Sequence, residues 1–284
     1  MASPRTLVRP CGARIGFEVF GQGPTTILAL APGGMRSSRS NWSSQPLDPT
    51  SGRLGRWLPH EQYTVIAMDQ RTADERCTVP DGHGWGWDTF RDDQLALLDH
   101  CGVERAHLLG SCIGPSFAMK LLIDQPARFG AAVMMQPIGL APRTTEAVRT
   151  GNACSKYGTK WDEGESGLNS SATGHWFGDW ANAVQQEGRG SAIALDALQR
   201  SLFEDTEGRD FIFSATSAQV EEVAHPLLVL MGNDVFHPSE TARRISRIAP
   251  NAELIESWRD TDEAALETAA RRIGSFLAAN PRWF

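Results

Sequence analysis

The chain has 284 residues, enough for one large domain or for a domain that carries an inserted cap. Its 27 basic residues against 34 acidic ones give a net charge of −7, so no basic stripe is available for phosphates and we expect no nucleic-acid partner. No apolar run approaches the roughly 18 residues of a membrane span, and the N-terminus lacks the apolar core of a signal peptide. We therefore expect a cytoplasmic protein with no membrane association.

Five cysteines are present, an odd number, and none forms a Cys-x-x-Cys pair. This pattern favours reduced thiols over a disulfide framework or a zinc site. The sequence contains neither a metal-ligand cluster nor a dinucleotide fingerprint, so we expect no metal and no cofactor.

Apolar strand patterns alternate with amphipathic helix patterns along most of the chain. Such an alternation predicts an α/β fold with a mostly parallel central sheet flanked by helices. The predicted strands are 7–9, 15–20, 25–31, 63–69, a strand beginning at His107, 131–136, 225–231 and 252–257. The predicted helices are 54–61, 89–101, an apolar helix after Gly114, 239–248 and 263–279.

The most informative stretch is the sharp turn Gly110-Ser-Cys-Ile-Gly114 between a strand and a helix. A residue raised on such a strained turn needs a small neighbour two positions before it and two after it, which Gly110 and Gly114 supply. The partial positive charge of the following helix N-terminus favours a thiolate at Cys112. Cys112 is thus the candidate nucleophile. The alternative is a small buried side chain at a tight turn.

The strand, the sharp turn at 110–114 (called the elbow below) and the helix are followed by the turn 125–129 and a second apolar strand. This succession resembles the α/β-hydrolase superfamily, with cysteine in place of serine. The resemblance covers most of the chain. It implies a core of residues 1–138 and 219–284 with a helical cap inserted at 139–218. It also implies an oxyanion hole made by the backbone N–H of Gly34 or Met35 and that of Ile113, although proline stands where the superfamily often has histidine. After Asp69-Gln-Arg71 the chain departs from the usual Gly-x-Gly-x-Ser and reads Thr-Ala-Asp-Glu-Arg-Cys.

The catalytic acid and base follow the penultimate strand. Gly232-Asn-Asp234 resembles the superfamily's acid turn, so Asp234 is the candidate acid; the alternative is a helix-capping aspartate. The histidine expected after the last strand is missing, because no histidine follows position 237. His237 shares the Asp234 turn and is the candidate base. The alternative is that His237 only supports other site residues or faces solvent. His83 and His175 are further candidates for the base. The chain resembles a subgroup of α/β-hydrolase-like proteins that pairs a Cys-Ile-Gly elbow with an Asp-x-x-His-Pro turn.

Three functions are consistent with these residues. The first is a hydrolase that cleaves an ester, lactone or thioester through an acyl-enzyme on Cys112, as dienelactone hydrolases suggest by using cysteine in this fold. The second is an acyltransferase or cyclase with the same intermediate, and the third is a non-hydrolytic, lyase-like or binding descendant. The clustering of tryptophans favours a small-molecule substrate with a bulky apolar or aromatic acyl group, and Trp42, Trp176 and Trp180 are the candidate binding residues. A homodimer is an assembly that the sequence allows.

Overall fold

The computed structural model describes residues 4–82, 85–139, 177–203, 212–234, 237–259 and 262–281. The strands are β1 (Arg5–Val8), β2 (Arg14–Phe20), β3 (Thr25–Leu30), β4 (Tyr63–Met68), β5 (Ala106–Ser111), β6 (Phe129–Met135), β7 (Leu227–Leu230) and β8 (Ala252–Ile255). The helices are α1 (Gly52–Gly55), α2 (Trp87–His100), α3 (Gly114–Asp124), α4 (Asp179–Gln186), α5 (Ala192–Phe203), α6 (Ser217–Glu221), α7 (Ser239–Ile248) and α8 (Glu263–Ala279).

The strands form one sheet in the order β1-β2-β4-β3-β5-β6-β7-β8. The pairs β1–β2 and β2–β4 are antiparallel, and all pairs from β4–β3 to β7–β8 are parallel. The predicted α/β class and mostly parallel sheet are therefore confirmed. Because β3 to β8 are parallel, their carboxyl ends share one edge, where α/β proteins commonly place ligands.

The central strands are buried on both faces, as their continuous apolar runs predict. Every residue of β5, β6 and β7 is buried. One core cluster, around Leu108, Phe117 and Met134, lies on one face of the sheet. A second cluster, around Leu109, Val133 and Trp258, lies on the other.

Most predicted elements appear within two or three residues of their expected ends, and α7 and α8 match their predicted bounds. The helix predicted over 54–61 is wrong: a single turn, α1, occupies Gly52–Gly55. Pro59 follows soon after, and proline disfavours helical backbone at the residue before it. The chain then turns at Pro59, whose carbonyl accepts hydrogen bonds from the N–H groups of Gln62 and Tyr63.

The described part of the predicted cap consists of α4, α5 and the short stretch leading into α6. Two tryptophan N–H groups form hydrogen bonds that link these elements to the core. Trp180 of α4 donates to the carbonyl of Thr72 over 3.0 Å. Trp87 of α2 donates to the carbonyl of Leu202 in α5 over 3.1 Å. Residues 140–176 and 204–211 of the predicted cap lie outside the described residues.

Candidate active site

Cys112 sits at the tip of the turn between β5 and α3. Its φ is +62°, a left-handed conformation that non-glycine residues adopt rarely and at a cost of about 1–3 kcal/mol. Two backbone hydrogen bonds hold it there: its N–H donates to Met135 O over 3.1 Å, and its carbonyl accepts from Ile138 N–H over 3.1 Å. The elbow is therefore fixed by the ends of neighbouring β6.

The two flanking glycines are needed for space. A Cβ on Gly110 would lie 2.5 Å from the carbonyl carbon of Gly114, and a Cβ on Gly114 would lie 2.3 Å from the carbonyl oxygen of Leu30. Contacts this short with backbone atoms cannot be relieved by moving a side chain. The spacing Gly-x-Cys-x-Gly is thus a packing requirement, since β3, β5 and α3 meet at this point.

His237 is brought to the same edge by the turn after β7. Its Nδ1 lies 2.7 Å from Asp234 Oδ1, and its backbone N–H donates to the same oxygen over 3.1 Å. Gly232 permits this compact turn, because a Cβ there would come within 2.3 Å of the His237 Cβ. One carboxylate oxygen therefore fixes both the backbone and the ring of His237.

The side chains of Cys112 and His237 are close enough for each to shift the pKa of the other. Since Nδ1 contacts Asp234, Nε2 is the ring nitrogen left for an exchange of protons with the sulfur. Burial raises the pKa of the Cys112 thiol, but the His237 charge, its hydrogen bond and nearby backbone N–H groups outweigh burial and bring that pKa below its ordinary value. Burial lowers the pKa of His237, but Cys112 and Asp234 outweigh it and raise that pKa to about 9. The geometry thus favours a thiolate–imidazolium pair.

Backbone N–H groups from two loops act on the same sulfur. Those of Gly33 and Ile113 each help to lower the pKa of the Cys112 thiol. Gly33 has φ +119° and no room for a Cβ, which would lie 2.4 Å from the Asn41 side chain. Gly34 and Met35, the residues predicted for the oxyanion hole, form the next turn and pack beside Ile113. Gly33 is a donor that sequence reasoning missed, although it belongs to the same glycine pair.

The loop that carries Gly33 is tied down through Asp69. This carboxylate accepts hydrogen bonds from Ser38 Oγ over 2.8 Å and from Arg39 N–H over 2.7 Å, and it pairs with the Arg39 guanidinium. Ser37 adds a bond to Ala31 O over 2.7 Å. The aspartate at the end of β4 therefore holds the backbone donors near the elbow.

A polar network behind the histidine was also missed. Arg259, which follows β8 where the superfamily pattern has histidine, places Nη1 2.8 Å from Asp234 Oδ2 and 2.5 Å from Gln136 Oε1. Gln136 follows β6 with φ +41° and donates to Ser111 Oγ over 3.2 Å. Gln136 directly follows β6 and Arg259 lies in the loop after β8, so both come after strands at the carboxyl edge, and that position was the available signal.

The candidate tryptophans occupy different surroundings. Trp42 is 1% exposed and packs in the cluster around Leu109, on the sheet face opposite to Ile113. Trp180 is 3% exposed and belongs to the cluster that includes Ile113. Trp176, His83 and His175 lie outside the described residues. The substrate-binding roles of these tryptophans stay predictions.

His107 is fully buried, and its Nδ1 accepts a hydrogen bond from Ala131 N–H over 3.0 Å. Burial lowers its pKa to about 4, so its surroundings indicate a structural role. Within the described ranges, no group of three or more His, Cys, Asp or Glu side chains could hold a metal ion. In the same ranges, no helix is both long and apolar enough to cross a membrane.

Comparisons with known proteins place this geometry in a fold class. No family model matches the chain. It is 27% identical over 148 residues to the dihydrolipoyllysine-residue acetyltransferase component of the acetoin cleaving system of Cupriavidus necator, covering 49% of this chain and 33% of that protein. It is 38% identical over 58 residues to 2-hydroxy-6-oxo-6-phenylhexa-2,4-dienoate hydrolase of Comamonas testosteroni, covering 19% of this chain and 20% of that protein. The matches span about a third and a fifth of these curated relatives.

A solved structure extends the likeness over the whole chain. The crystal structure of a hydrolase from Pseudomonas aeruginosa PA01 superposes with a TM-score of 0.57 at 20% identity, covering 97% of this chain and 98% of that one. Together with the sheet order, this likeness shows that the chain has the α/β-hydrolase fold. The relatives and the neighbour named here are hydrolases or an acyltransferase component.

Proposed function

We propose that this protein is a hydrolase that cleaves an ester, lactone or thioester through a covalent acyl-enzyme on Cys112. The observation that carries the proposal is that Cys112, raised on the strained elbow, and His237, held by Asp234, lie close enough to shift each other's pKa. A thiolate is already a strong nucleophile when a neighbouring imidazolium lowers its pKa. The base therefore does not need the position after the last strand that it has in the superfamily pattern.

In the acylation step the Cys112 thiolate attacks the acyl carbon and a new C–S bond forms. The electron pair of the C=O bond moves onto oxygen, giving an oxyanion that backbone N–H groups of Ile113 and of the Gly33–Met35 loop stabilise. When the oxyanion collapses, the bond to the leaving group breaks and the His237 imidazolium gives its proton to that group. The products are the released alcohol or thiol, the acyl-thioester and a neutral His237.

In the deacylation step neutral His237 takes a proton from water, which attacks the thioester carbon. The second oxyanion occupies the same donors, and its collapse breaks the C–S bond. The carboxylic acid leaves, and the thiolate and the imidazolium are restored. Asp234 keeps Nδ1 protonated and the ring oriented throughout, through the 2.7 Å contact described above. One water is consumed for each bond cleaved.

The surroundings of the elbow support an apolar acyl group. Cys112 packs against the apolar core cluster that contains Met35, Ile113 and Phe117 together with the aromatic rings of α2. One relative is named as the hydrolase of a phenyl-substituted hexadienoate, an aromatic substrate. We therefore place bulky apolar or aryl thioesters and lactones first among candidate substrates.

Acyl transfer is the second candidate function, because the other curated relative is named as an acetyltransferase component. It shares the acyl-thioester and replaces water with an amine or alcohol. Product analysis with and without an added nucleophile separates the two, since hydrolysis alone would give only the acid. Turnover that survives Cys112→Ala would instead favour the lyase-like or binding alternative.

The first test is the pH dependence of Cys112 alkylation by iodoacetamide, measured by peptide mass spectrometry from about pH 5 to about pH 10. In the wild type we expect a reactivity plateau reached well below about pH 8.5, the usual thiol pKa. In His237→Ala the plateau should move to higher pH, because burial then raises the thiol pKa without the opposing charge of His237. Cys101, whose pKa is raised by burial, is an internal reference that should react only at high pH.

His60→Ala is the matched control. His60 is exposed, and its carbonyl pairs with Gln22 N–H at the amino end of β3, opposite the carboxyl edge. This variant should keep the wild-type profile. A wild-type profile identical to that of His237→Ala would contradict the thiolate–imidazolium pair, and with it the proposed mechanism.

A further inference from the structure

A second pocket lies where the β1–β2 turn meets the segment after β4. Its volume is about 460 Å³, within the range of about 300–1,000 Å³ that is typical of small-molecule sites. The residues described around it include neither Cys112 nor His237 nor any of their hydrogen-bond partners. It is therefore a candidate site distinct from the elbow.

The lining concentrates positive charge on an acidic protein. Three arginines, Arg14, Arg71 and Arg76, line the pocket with one carboxylate, Asp74. Asp74 is shared: Arg76 lies 2.9 Å from each of its oxygens, through Nε and Nη2, and Arg14 Nε lies 3.8 Å from Oδ2. Because Arg71 is paired with the buried Asp93, the described residues in and directly behind the lining keep one net positive charge, on a chain whose net charge is −7. This imbalance favours an anionic ligand.

Arg71 is held rigidly at the pocket. Its Nε and Nη2 both lie 2.6 Å from the two oxygens of the fully buried Asp93. Its guanidinium carbon lies 4.8 Å from the centre of the Trp85 ring. A buried ion pair is expensive to desolvate and contributes little net stability. Its effect here is to fix a guanidinium and an aromatic ring side by side in the pocket lining.

The pocket is built from the segment where the sequence departs from the superfamily pattern. Instead of Gly-x-Gly-x-Ser, the chain continues after Arg71 with Thr-Ala-Asp-Glu-Arg-Cys. Asp74, Arg76 and Cys77 of this segment all line the pocket. Asp74 thus stands at the second glycine position of that pattern and Arg76 at the serine position, which puts two charged side chains where the cavity forms.

We propose that this pocket binds a small organic anion, with its carboxylate or phosphate on Arg14 and Arg76 and an aromatic or apolar body against Trp85. The planar guanidinium fork matches the geometry of both oxyanions. The mixed lining, with charge beside an aromatic ring, fits an amphiphilic small molecule better than an inorganic ion. Binding at this site does not depend on the chemistry of Cys112.

The test is isothermal titration calorimetry of phenyl phosphate, benzoate and neutral benzamide into the full chain carrying Cys112→Ala. The two anions should bind and benzamide should not. Arg14→Gln and Arg76→Gln should each weaken phenyl phosphate binding about 5- to 30-fold, the range expected for one charge-assisted contact. Arg91→Gln is the matched control: Arg91 also pairs with aspartates but lies on α2 outside the lining, so affinity should not change.

Two further variants give effects that unfolding would not mimic. Asp74→Asn removes the negative charge of the lining and should tighten anion binding, about 3- to 10-fold. Trp85→Ala should weaken phenyl phosphate more than inorganic phosphate. The proposal is overturned if no anion binds, if the Arg14 and Arg76 variants bind like the wild type, or if Asp74→Asn weakens binding. Because the test protein lacks Cys112, none of these outcomes bears on the acyl-enzyme proposal.

Discussion

Replacing Asp234 with asparagine isolates the charge that acts on His237. Asparagine keeps an oxygen that can accept the Nδ1 proton and the backbone N–H of His237, so the turn should keep its shape. What disappears is the negative charge beside the imidazole. We expect the pKa of His237, which Cys112 and Asp234 together raise to about 9, to fall in this variant.

The size of the change follows from the contact. Two unit charges about 4 Å apart interact by about 4 kcal/mol at an effective dielectric constant of about 20. Asp234 is 32% exposed and is also paired with Arg259, so water and the guanidinium screen it. Keeping about a third of the Coulomb energy leaves 1–2 kcal/mol, and about 1.4 kcal/mol equals one pKa unit. The pKa of His237 should therefore drop by about one unit.

Arg259→Gln should move the same pKa in the opposite direction. Its Nη1 lies 2.8 Å from Asp234 Oδ2, and removing this positive charge takes away a partner that competes with His237 for the carboxylate. The pKa of His237 should then rise by a fraction of a unit. Two variants of one network with shifts of opposite sign separate electrostatics from general damage to the site.

The assay is an NMR titration of the His237 ring, assigned by comparison with His237→Ala. Cys112 and His237 titrate as a coupled pair, so the step to follow is the one at higher pH, where the imidazolium loses its proton. A shift of the same sign in both variants, or no shift in Asp234→Asn, would refute the electrostatic reasoning.

Two stability predictions follow, each with a control from the same chain. Gly114→Ala should destabilise the fold by about 1–3 kcal/mol in thermal melts, because its Cβ would meet the Leu30 carbonyl oxygen at 2.3 Å. Gly55→Ala is the control and should be close to neutral, since the nearest contact of its Cβ is at 3.6 Å. Equal effects of the two substitutions would contradict the packing argument. Trp180→Phe should lower the free energy of unfolding by about 1 kcal/mol more than Trp42→Phe. Trp180 Nε1 donates a hydrogen bond to Thr72 O, whereas the buried Trp42 Nε1 has no partner among the described residues. Urea unfolding measures this difference, and the reverse order would show that packing outweighs the hydrogen bond.

The elbow was predictable because its sequence requirement is local. Gly110 and Gly114 are spaced so that only hydrogen atoms fit between strand and helix, and the contacts in the structure have the expected cause. The sheet was predictable for a similar reason: runs such as Leu227–Leu230 are apolar on both faces and suit a buried parallel strand. Asp234 and His237 were within reach because they share one short turn.

Contacts between loops that are distant in sequence could not be predicted from local patterns in the same way. Arg259 meets Gln136 across 123 positions of sequence, and no local pattern specifies that meeting. Trp42 shows a related limit, since its loop comes directly after the β3 turn but its ring packs on the opposite face of the sheet. The failed helix over 54–61 had apolar residues at suitable spacing, but the bonds to the Pro59 carbonyl outweighed that preference.

The proposed position of the base, before the last strand, changes which parts of the fold must agree for the site to form. With Asp234 and His237 three residues apart, the single turn after β7 positions both, and Gly232 makes that turn compact enough. The loop after β8 supplies a cation: Arg259 joins Asp234 to Gln136, which in turn contacts Ser111 at the end of β5. The network therefore runs from the histidine turn to the elbow strand through one residue after β8, one after β6 and one of β5. A serine in this place would need a strong base in exact register, whereas a thiolate already stabilised by an imidazolium tolerates the simpler arrangement.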